Sequence, residues 1–513
     1  MLILKKVELL PEMFLGISII YLIIHGTFVS ANTKCLLIHS SALYLSVLII
    51  SLFCFLLLNN NVEYHGFQIF NSTITVDFLS FSSKIWIAVM AIFCLLMIQR
   101  YICVQKINYF EYSVLILFAL LGIFFICSAN DLITAYLSIE LQSLSFYIMA
   151  AMKKDSTFSI DVSLKYFILG AFSSSLFLFG SSILYGVGGT TSFEDLKDLF
   201  FVTPLNFSNV EAFNNYAFIE DVFLDGGLVQ FALVSIFVSL LFKLAIAPFH
   251  LWSLDVYEGS PSSSTFFFAV IPKLAIFVLF IRIFYLSFFE YALKWRYYIV
   301  IIGVVTVIVG SFGGLEQKKL KSLLAYSSIS HMGYTLVAFS TGTFEGMQIL
   351  LCYLFIYMMA SLCIWSIFLV LQLRHKYTKK HNKDLADLIL LSKSNSILSL
   401  FFSTVLLSIA GLPPMVGFLV KIGIFLALLE ASMYFIAIIS ILCSVISTFY
   451  YIRIIKIMYF ESTIVGKLYY PIQSNVSILL VCLFYFLLFL FLNPTLLYLI
   501  SHKVILLLTM VML

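Results

Sequence analysis

The chain has 513 residues, of which 62% are hydrophobic and only 11% charged, with a formal net charge of +4. A soluble domain carries about 25% charged residues, so a soluble enzyme is excluded. Apolar runs near the length of a bilayer span recur from end to end, the mark of an all-α, polytopic membrane protein. Nine cysteines form no CxxC pair and no zinc or iron–sulfur spacing. No GxGxxG follows a strand pattern and there is no Walker A sequence, so no nucleotide, redox centre or nucleic acid is expected on this chain.

The N-terminal stretch MLILKKVELLPEMFLGIS runs straight into the first apolar run and has neither a transit-peptide nor a signal-peptide pattern. Insertion where the chain is made is therefore expected. Heavy use of Phe (54) and Tyr (29) fits an A+T-rich, organellar gene. About fourteen spans follow, at roughly 11–31, 38–58, 77–98, 110–128, 131–151, 160–186, 228–250, 262–288, 297–313, 321–341, 345–372, 395–433 with a break at Gly411–Pro414, 434–458 and 475–499.

Basic residues orient them. Lys153 and Lys154, then Lys318, Lys319 and Lys321, then Arg374, Lys376, Lys379, Lys380 and Lys383, then Arg453, Lys456 and Lys467 all fall on one side, which is therefore the inner side. The long loop carrying Glu194, Asp195, Asp198, Glu211, Glu220, Asp221 and Asp225 lies opposite, with both termini. Lys5, Lys6, Lys294 and Arg296 are a minority against the rule.

Ionisable groups inside apolar spans are functional candidates by default, because each costs at least about 2.5–3.5 kcal/mol to insert. The first is Glu140, in DLITAYLSIELQSLSFYIMA, where Tyr136, Ser143 and Tyr147 share its helical face. Lys165 follows one turn after Asp161 and reads equally as a relay group or as a solvated helix end. Lys243 sits in LVSIFVSLLFKLAIAPFHLW just before Pro248, with His250 beyond it. Lys273 follows Pro272, which frees a carbonyl one turn earlier. His331, in LLAYSSISHMGYTL, shares a face with Ser327 and Tyr334 and titrates in the range that suits proton relay. Lys421 sits in LLSIAGLPPMVGFLVKIGIF just after Gly411, Pro413 and Pro414.

Unwound backbone at membrane depth is tolerated only against protein or a wet cavity. A lysine beside a helix break, twice, at corresponding places of two halves points to an ion pathway. In chain order the path would run Glu140, Lys243, Lys273, His331, Lys421.

At these residues the chain resembles a known family. ELQSLSFY, KYFILGAFSSS, FKLAIAPFHLWSLDVYEGSP, KSLLAYSSISHMGY, IAGLPPMVGFLVK and FYYIRIIKIMYF are similar to NADH dehydrogenase subunit 2, most of all its plant, algal and protist mitochondrial form. PSSSTFFFAVIP is bulkier than the family's version, and Ser330 stands where the family usually has glycine. The resemblance implies an antiporter-like, proton-pumping subunit of respiratory complex I, with two inverted five-helix repeats and broken helices seven and twelve. The implied division is a three-helix segment at 1–109, repeats at 110–292 and 293–460, and helix fourteen within 461–513.

It also implies that Glu140 and Lys243 form the essential pair, with Lys165, Lys273 and Lys421 matching further family lysines. NADH, FMN, iron–sulfur clusters and ubiquinone would be held by other subunits. The partners would be other membrane-arm subunits, further antiporter-like ones among them, and lipid. The location would be the mitochondrial inner membrane, with the bacterial inner membrane as the alternative. A cation/proton antiporter, or a related bacterial or plastid complex, is the competing reading.

Overall fold

The computed structural model describes residues 9–32, 36–59, 67–105, 110–154, 156–200, 226–374, 379–381, 384–461, 472 and 474–512. Of the charges used for orientation, Lys5, Lys6, Glu211, Glu220, Asp221, Asp225, Lys376, Lys383 and Lys467 lie outside the described residues. By length and composition, twelve of the described helices can cross a membrane, and shorter apolar ones accompany them. Helices dominate because a lipid-embedded backbone must satisfy its own N–H and C=O groups.

The principal helices in chain order are α1 (Leu10–Asn32), α2 (Leu36–Asn59), α3 (Phe78–Gln105), α4 (Glu111–Ser128), α5 (Leu132–Ala150), α6 (Thr157–Gly188), α7 (Gly226–Leu244), α8 (Leu251–Gly259), α9 (Ser262–Val270), α10 (Pro272–Phe280), α11 (Ala292–Leu315), α12 (Leu320–Ser340), α13 (Phe344–Val370), α14 (Ser396–Ala410), α15 (Val416–Glu430), α16 (Tyr434–Tyr459), α17 (Ser474–Leu492) and α18 (Thr495–Met512), with short ones at Phe193–Phe200 and Leu391–Ser394. A short antiparallel hairpin, β1 (Phe67–Ile69) with β2 (Ile74–Val76), precedes α3.

Sequence features place the ends. Asp131, Thr343 and Asn395 cap α5, α13 and α14 by accepting backbone N–H bonds. Gly189, at φ +68°, ends α6 in the left-handed conformation. Serines within spans satisfy themselves by donating to the carbonyl three residues back, as Ser173 does to Gly170 and Ser330 to Ser327.

Contacts sort the loops into two ends. At one end Lys319 bonds Glu258, Lys321 donates to the Ser260 carbonyl, and Arg453 donates to the Leu315 carbonyl. At the other, Asn130 donates to the Ser72 carbonyl, Leu132 N–H to Thr191, and Arg296 to Ser340. The first of these is the end that the basic residues mark as the inner one in the sequence reading.

Three predicted spans differ in detail. The seventh ends at Leu244, short of the expected 250, and resumes as α8. The eighth is not one rod but α9, α10 and a π-helical turn over Ile281–Ser287, with Pro272 opening α10. The last expected span, 475–499, stops at Leu492 because Pro494 opens a separate helix, α18.

The segment Ser262–Ser287 is wholly buried and α13 nearly so, making them the axis of the bundle. Helices α6, α16 and α17 lie outside it and present Phe172, Phe179, Phe435, Phe449 and Tyr485 outward.

Two buried ion pairs were not among the sequence candidates. Lys84 pairs with Glu12 at 2.6 Å, tying α3 to α1. Arg282, at 1% exposure, is held by Asp77 (2.7 Å), Thr75 (2.9 Å) and the Cys127 carbonyl (3.2 Å), tying the π turn to β2 and α4. Removing one partner of such a pair strands the other and costs about 3–5 kcal/mol. Arg282→Ala is therefore expected to cut the amount of assembled protein in membranes severely, as scored by native gel, whereas Arg282→Lys, which restores charge without the guanidinium fork, recovers only part of it.

Candidate functional site

The first break follows Lys243. Ala245 takes φ +59°, its N–H bonds back to Phe242, and the Ile246 N–H bonds to Leu241. The Phe242 carbonyl also accepts from the indole of Trp252, 2.9 Å away on α8. Trp252 stacks on Tyr166 of α6 (centroids 4.7 Å apart, planes 9°), so the unwound turn is walled by aromatics.

Lys243 lies 6.0 Å from the centroid of Tyr147. Tyr147 can stand there because Gly170 faces it: a Cβ at Gly170 would fall 1.9 Å from the phenol oxygen. Glu140 is half-buried on α5. Its Oε2 accepts from Ser143 at 3.3 Å, and its Oε1 is buried with no partner among the described residues.

Glu140 and Lys243 do not touch within ion-pairing distance, although Lys243 lies in the field of the Glu140 carboxylate. A cavity of about 30 Å³ opens between Lys243 and Lys273, lined also by Gln142, Ser143, Tyr166 and Tyr257. A water needs roughly 10–15 Å³ of such room and two or more polar partners, so this one is large and polar enough to be wet.

Beyond it the groups lie close together. Lys273, 4% exposed, donates to the Tyr357 hydroxyl at 2.8 Å and lies over its ring. His331, 5% exposed, has a phenol at each nitrogen: Tyr353 at Nδ1 (2.5 Å) and Tyr451 at Nε2 (3.3 Å). The Tyr357 ring is 5.4 Å from the imidazole, between it and Lys273. Tyr334 donates to the Ser440 carbonyl (3.2 Å) and offers its ring to Lys421 at 5.5 Å.

At the second break, Gly411 closes α14 at φ +78°. Lys421, on α15, reaches back across the break to donate to the Ala410 carbonyl at 2.8 Å. A Cβ on Gly411 would lie 2.6 Å from the Lys421 Cδ, so any other residue there must push the lysine stem aside.

The structure thus brings Lys243, Lys273, His331 and Lys421 into one interior row, with Glu140, Tyr136 and Tyr147 at its α5 end and Tyr334 at its other end. His250 stands apart, at the start of α8, with Nδ1 buried and unpartnered among the described residues. Lys165 is also apart. Its partner is Asp255 of α8 at 3.0 Å rather than Asp161, and both side chains are more than half exposed.

Exposed pairs are worth about 0–1 kcal/mol. Lys165→Ala is expected to leave assembly intact and to lower proton pumping far less than a change at Lys243; complete loss of pumping would move Lys165 into the row. Tyr353, Tyr357 and Tyr451 carry no charge, so the cost of a charge in lipid does not single them out in the sequence. The i, i+4 spacing of Tyr353 and Tyr357 on an otherwise apolar helix was the available signal.

Residues 129–447 match the family described as NADH:quinone oxidoreductase/Mrp antiporter, transmembrane. The chain is 39% identical over 453 residues to NADH-quinone oxidoreductase subunit N of Pelagibacter ubique, covering 88% of this chain and 89% of that one. It is 38% identical over 499 residues to NADH-ubiquinone oxidoreductase chain 2 of Marchantia polymorpha, covering 96% and 97%. A chain of respiratory complex I from Thermus thermophilus superposes with a TM-score of 0.75 at 25% identity, over 95% of this chain and 98% of that one. A chain of the Mrp complex from Dietzia reaches 0.78 at 17% identity, over 98% and 97%, a likeness of fold alone.

Proposed function

The chain belongs to the family of NADH-quinone oxidoreductase subunit N and NADH-ubiquinone oxidoreductase chain 2, and from that premise we propose how its residues move protons. It is a proton-translocating, antiporter-like subunit in the membrane arm of complex I, beside other subunits of the same kind, in an energy-conserving inner membrane. Redox chemistry belongs to other subunits, and this chain converts their signal into proton transfer. Its relatives include both mitochondrial and bacterial proteins; the mitochondrial inner membrane is the reading its composition favours.

The observation that carries the mechanism is the buried row. Glu140 and Lys243 are separated, with a water-sized cavity beside Lys243 that reaches Lys273. Approach of the two charges stabilises the ammonium, and separation releases its proton toward Lys273. From Lys273 the proton passes by Tyr357 and His331 toward Lys421, whose ammonium is held by the Ala410 carbonyl. Each of these groups can both hold and release a proton, which general acid–base transfer requires.

A cation/proton antiporter is the competing function. Sodium would call for further carboxylates or unwound carbonyls at mid-depth, and among the described residues the interior row contains a single carboxylate, Glu140. The test is native electrophoresis of membranes in mild detergent, with in-gel NADH oxidation and mass spectrometry of the active band. The chain is expected in a very large NADH-oxidising assembly; a small, NADH-inactive assembly of hydrophobic proteins would overturn the proposal.

A further inference from the structure

His331 is not a simple link between Lys273 and Lys421. Its Nδ1 faces Tyr353, on the axial helix α13, but its Nε2 faces Tyr451 of α16, off the row. Behind Tyr451 stands Tyr450. Their rings are 4.4 Å apart, and the Tyr450 hydroxyl is fully buried and makes no hydrogen bond of normal geometry to a described residue. The hydroxyls of Ser330 and Ser447 lie beside Tyr450, and that of Ser327 beside Tyr451. A file of hydroxyls therefore leaves the imidazole in a second direction.

The packing gives that direction. Tyr450 rests on Gly314, where a Cβ would come within 2.9 Å of its ring, and Ser330 rests on Gly310. Gly314 is in the last turn of α11, next to Leu315, whose carbonyl accepts from Arg453 at the basic end of the bundle. The file thus runs from the middle of α12 to within about one helical turn of the inner surface. A buried phenol without a well-formed hydrogen bond, set between a relay histidine and that surface, is costly to leave so. It is accounted for if water or a passing proton completes it.

We infer that Tyr451 and Tyr450 form a side branch through which His331 exchanges protons directly with the inner surface, independently of Lys273. The inference rests on the proton-translocating reading above. The imidazole has a hydroxyl at both nitrogens, so it can receive a proton at Nε2 from Tyr451 and release the one on Nδ1 to Tyr353, changing tautomer with no net change of charge. Tyr451 is then refilled from Tyr450 and the inner side, while Tyr353, as it takes the Nδ1 proton, gives up its own hydroxyl proton toward Tyr334 and Lys421, so every proton given is replaced and every proton received is passed on.

The test uses the assembled complex in proteoliposomes carrying Tyr451→Phe, Tyr450→Phe or Lys421→Ala, and reads protons moved per NADH oxidised. Phenylalanine keeps each ring and its packing and removes only the hydroxyl. Losing a proton-transfer group slows its step by about a hundredfold or more, so this subunit's share of the ratio is expected to vanish in Tyr451→Phe and to shrink in Tyr450→Phe. If both tyrosine variants keep the wild-type ratio while Lys421→Ala loses it, the branch is wrong and the function stands. If Lys421→Ala also keeps it, the function reading falls and the branch with it. A variant that loses oxidation and pumping in proportion keeps its ratio and counts against the branch. Should Tyr451→Phe fail to assemble, Tyr450→Phe decides alone, since its hydroxyl makes no hydrogen bond of normal geometry among the described residues.

Discussion

Lys243→Met is expected to abolish proton pumping through this subunit, a loss of about a hundredfold or more in the proton-transfer step. Methionine keeps the apolar stem that packs at the end of α7 and removes only the ammonium, so the loss reports charge rather than packing. The energetic argument is direct. Moving one charge across about 100 mV costs about 2.3 kcal/mol. Two opposite charges brought to about 4 Å in surroundings of effective dielectric ~20 interact by about 4 kcal/mol, so closing and opening the gap between Glu140 and Lys243 is enough to drive a step of that size.

Lys243→Arg separates two roles. An arginine is always protonated, so it fails as badly as methionine if the group must release a proton, and restores pumping if only a positive charge is needed. The measurement is NADH-driven acidification in proteoliposomes, normalised to NADH oxidation. Wild-type pumping in Lys243→Met would remove this residue from the path.

Gly411→Val is expected to have the second-largest effect. The φ of +78° is a left-handed conformation that costs a side-chain-bearing residue about 1–2 kcal/mol, more for a β-branched one. The steric term adds to it. The new Cβ meets the Lys421 stem at 2.6 Å, so the stem must shift and draw the ammonium from its 2.8 Å bond to the Ala410 carbonyl. At about 1.4 kcal/mol per tenfold, the productive placement of Lys421 falls at least about tenfold. Gly411→Ala should do the same to a smaller degree, and both should pump less without a matching loss of assembled complex on a native gel. Equal pumping by Val and wild type would show that the Lys421 placement does not matter. The other break sets the scale: Ala245 already holds φ +59° with a Cβ, so Ala245→Gly should be nearly neutral.

How much of this was legible beforehand depended on the kind of signal. The membrane class, the broken spans and every charged member of the row follow from apolar run lengths, from prolines and glycines, and from the cost of a charge in lipid. What could not be read was anything set by packing between distant segments. Lys165 has Asp161 one turn away in sequence, yet its partner is Asp255, because the break after α7 swings α8 alongside α6. Arg282 stands in the apolar run AIFVLFIRIFYL, where nothing nearby in sequence offers it a partner. Its partners are 205 and 207 residues away, and no local pattern announces them. The phenols at His331 are silent to a search for charge, because tyrosine in an apolar helix reads as ordinary aromatic core.

The two lysines beside the helix breaks are held in unlike ways. Lys243 has a carboxylate within its field, and a carboxylate can be neutralised or moved. Lys421 is bonded to the terminal carbonyl of α14, where the helix end carries a negative partial charge of about one half. A peptide carbonyl cannot be titrated away. The two halves share a fold but behave as a variable and a fixed resistor in series: one term can be tuned from outside the chain, while the other is set by the covalent backbone and only follows.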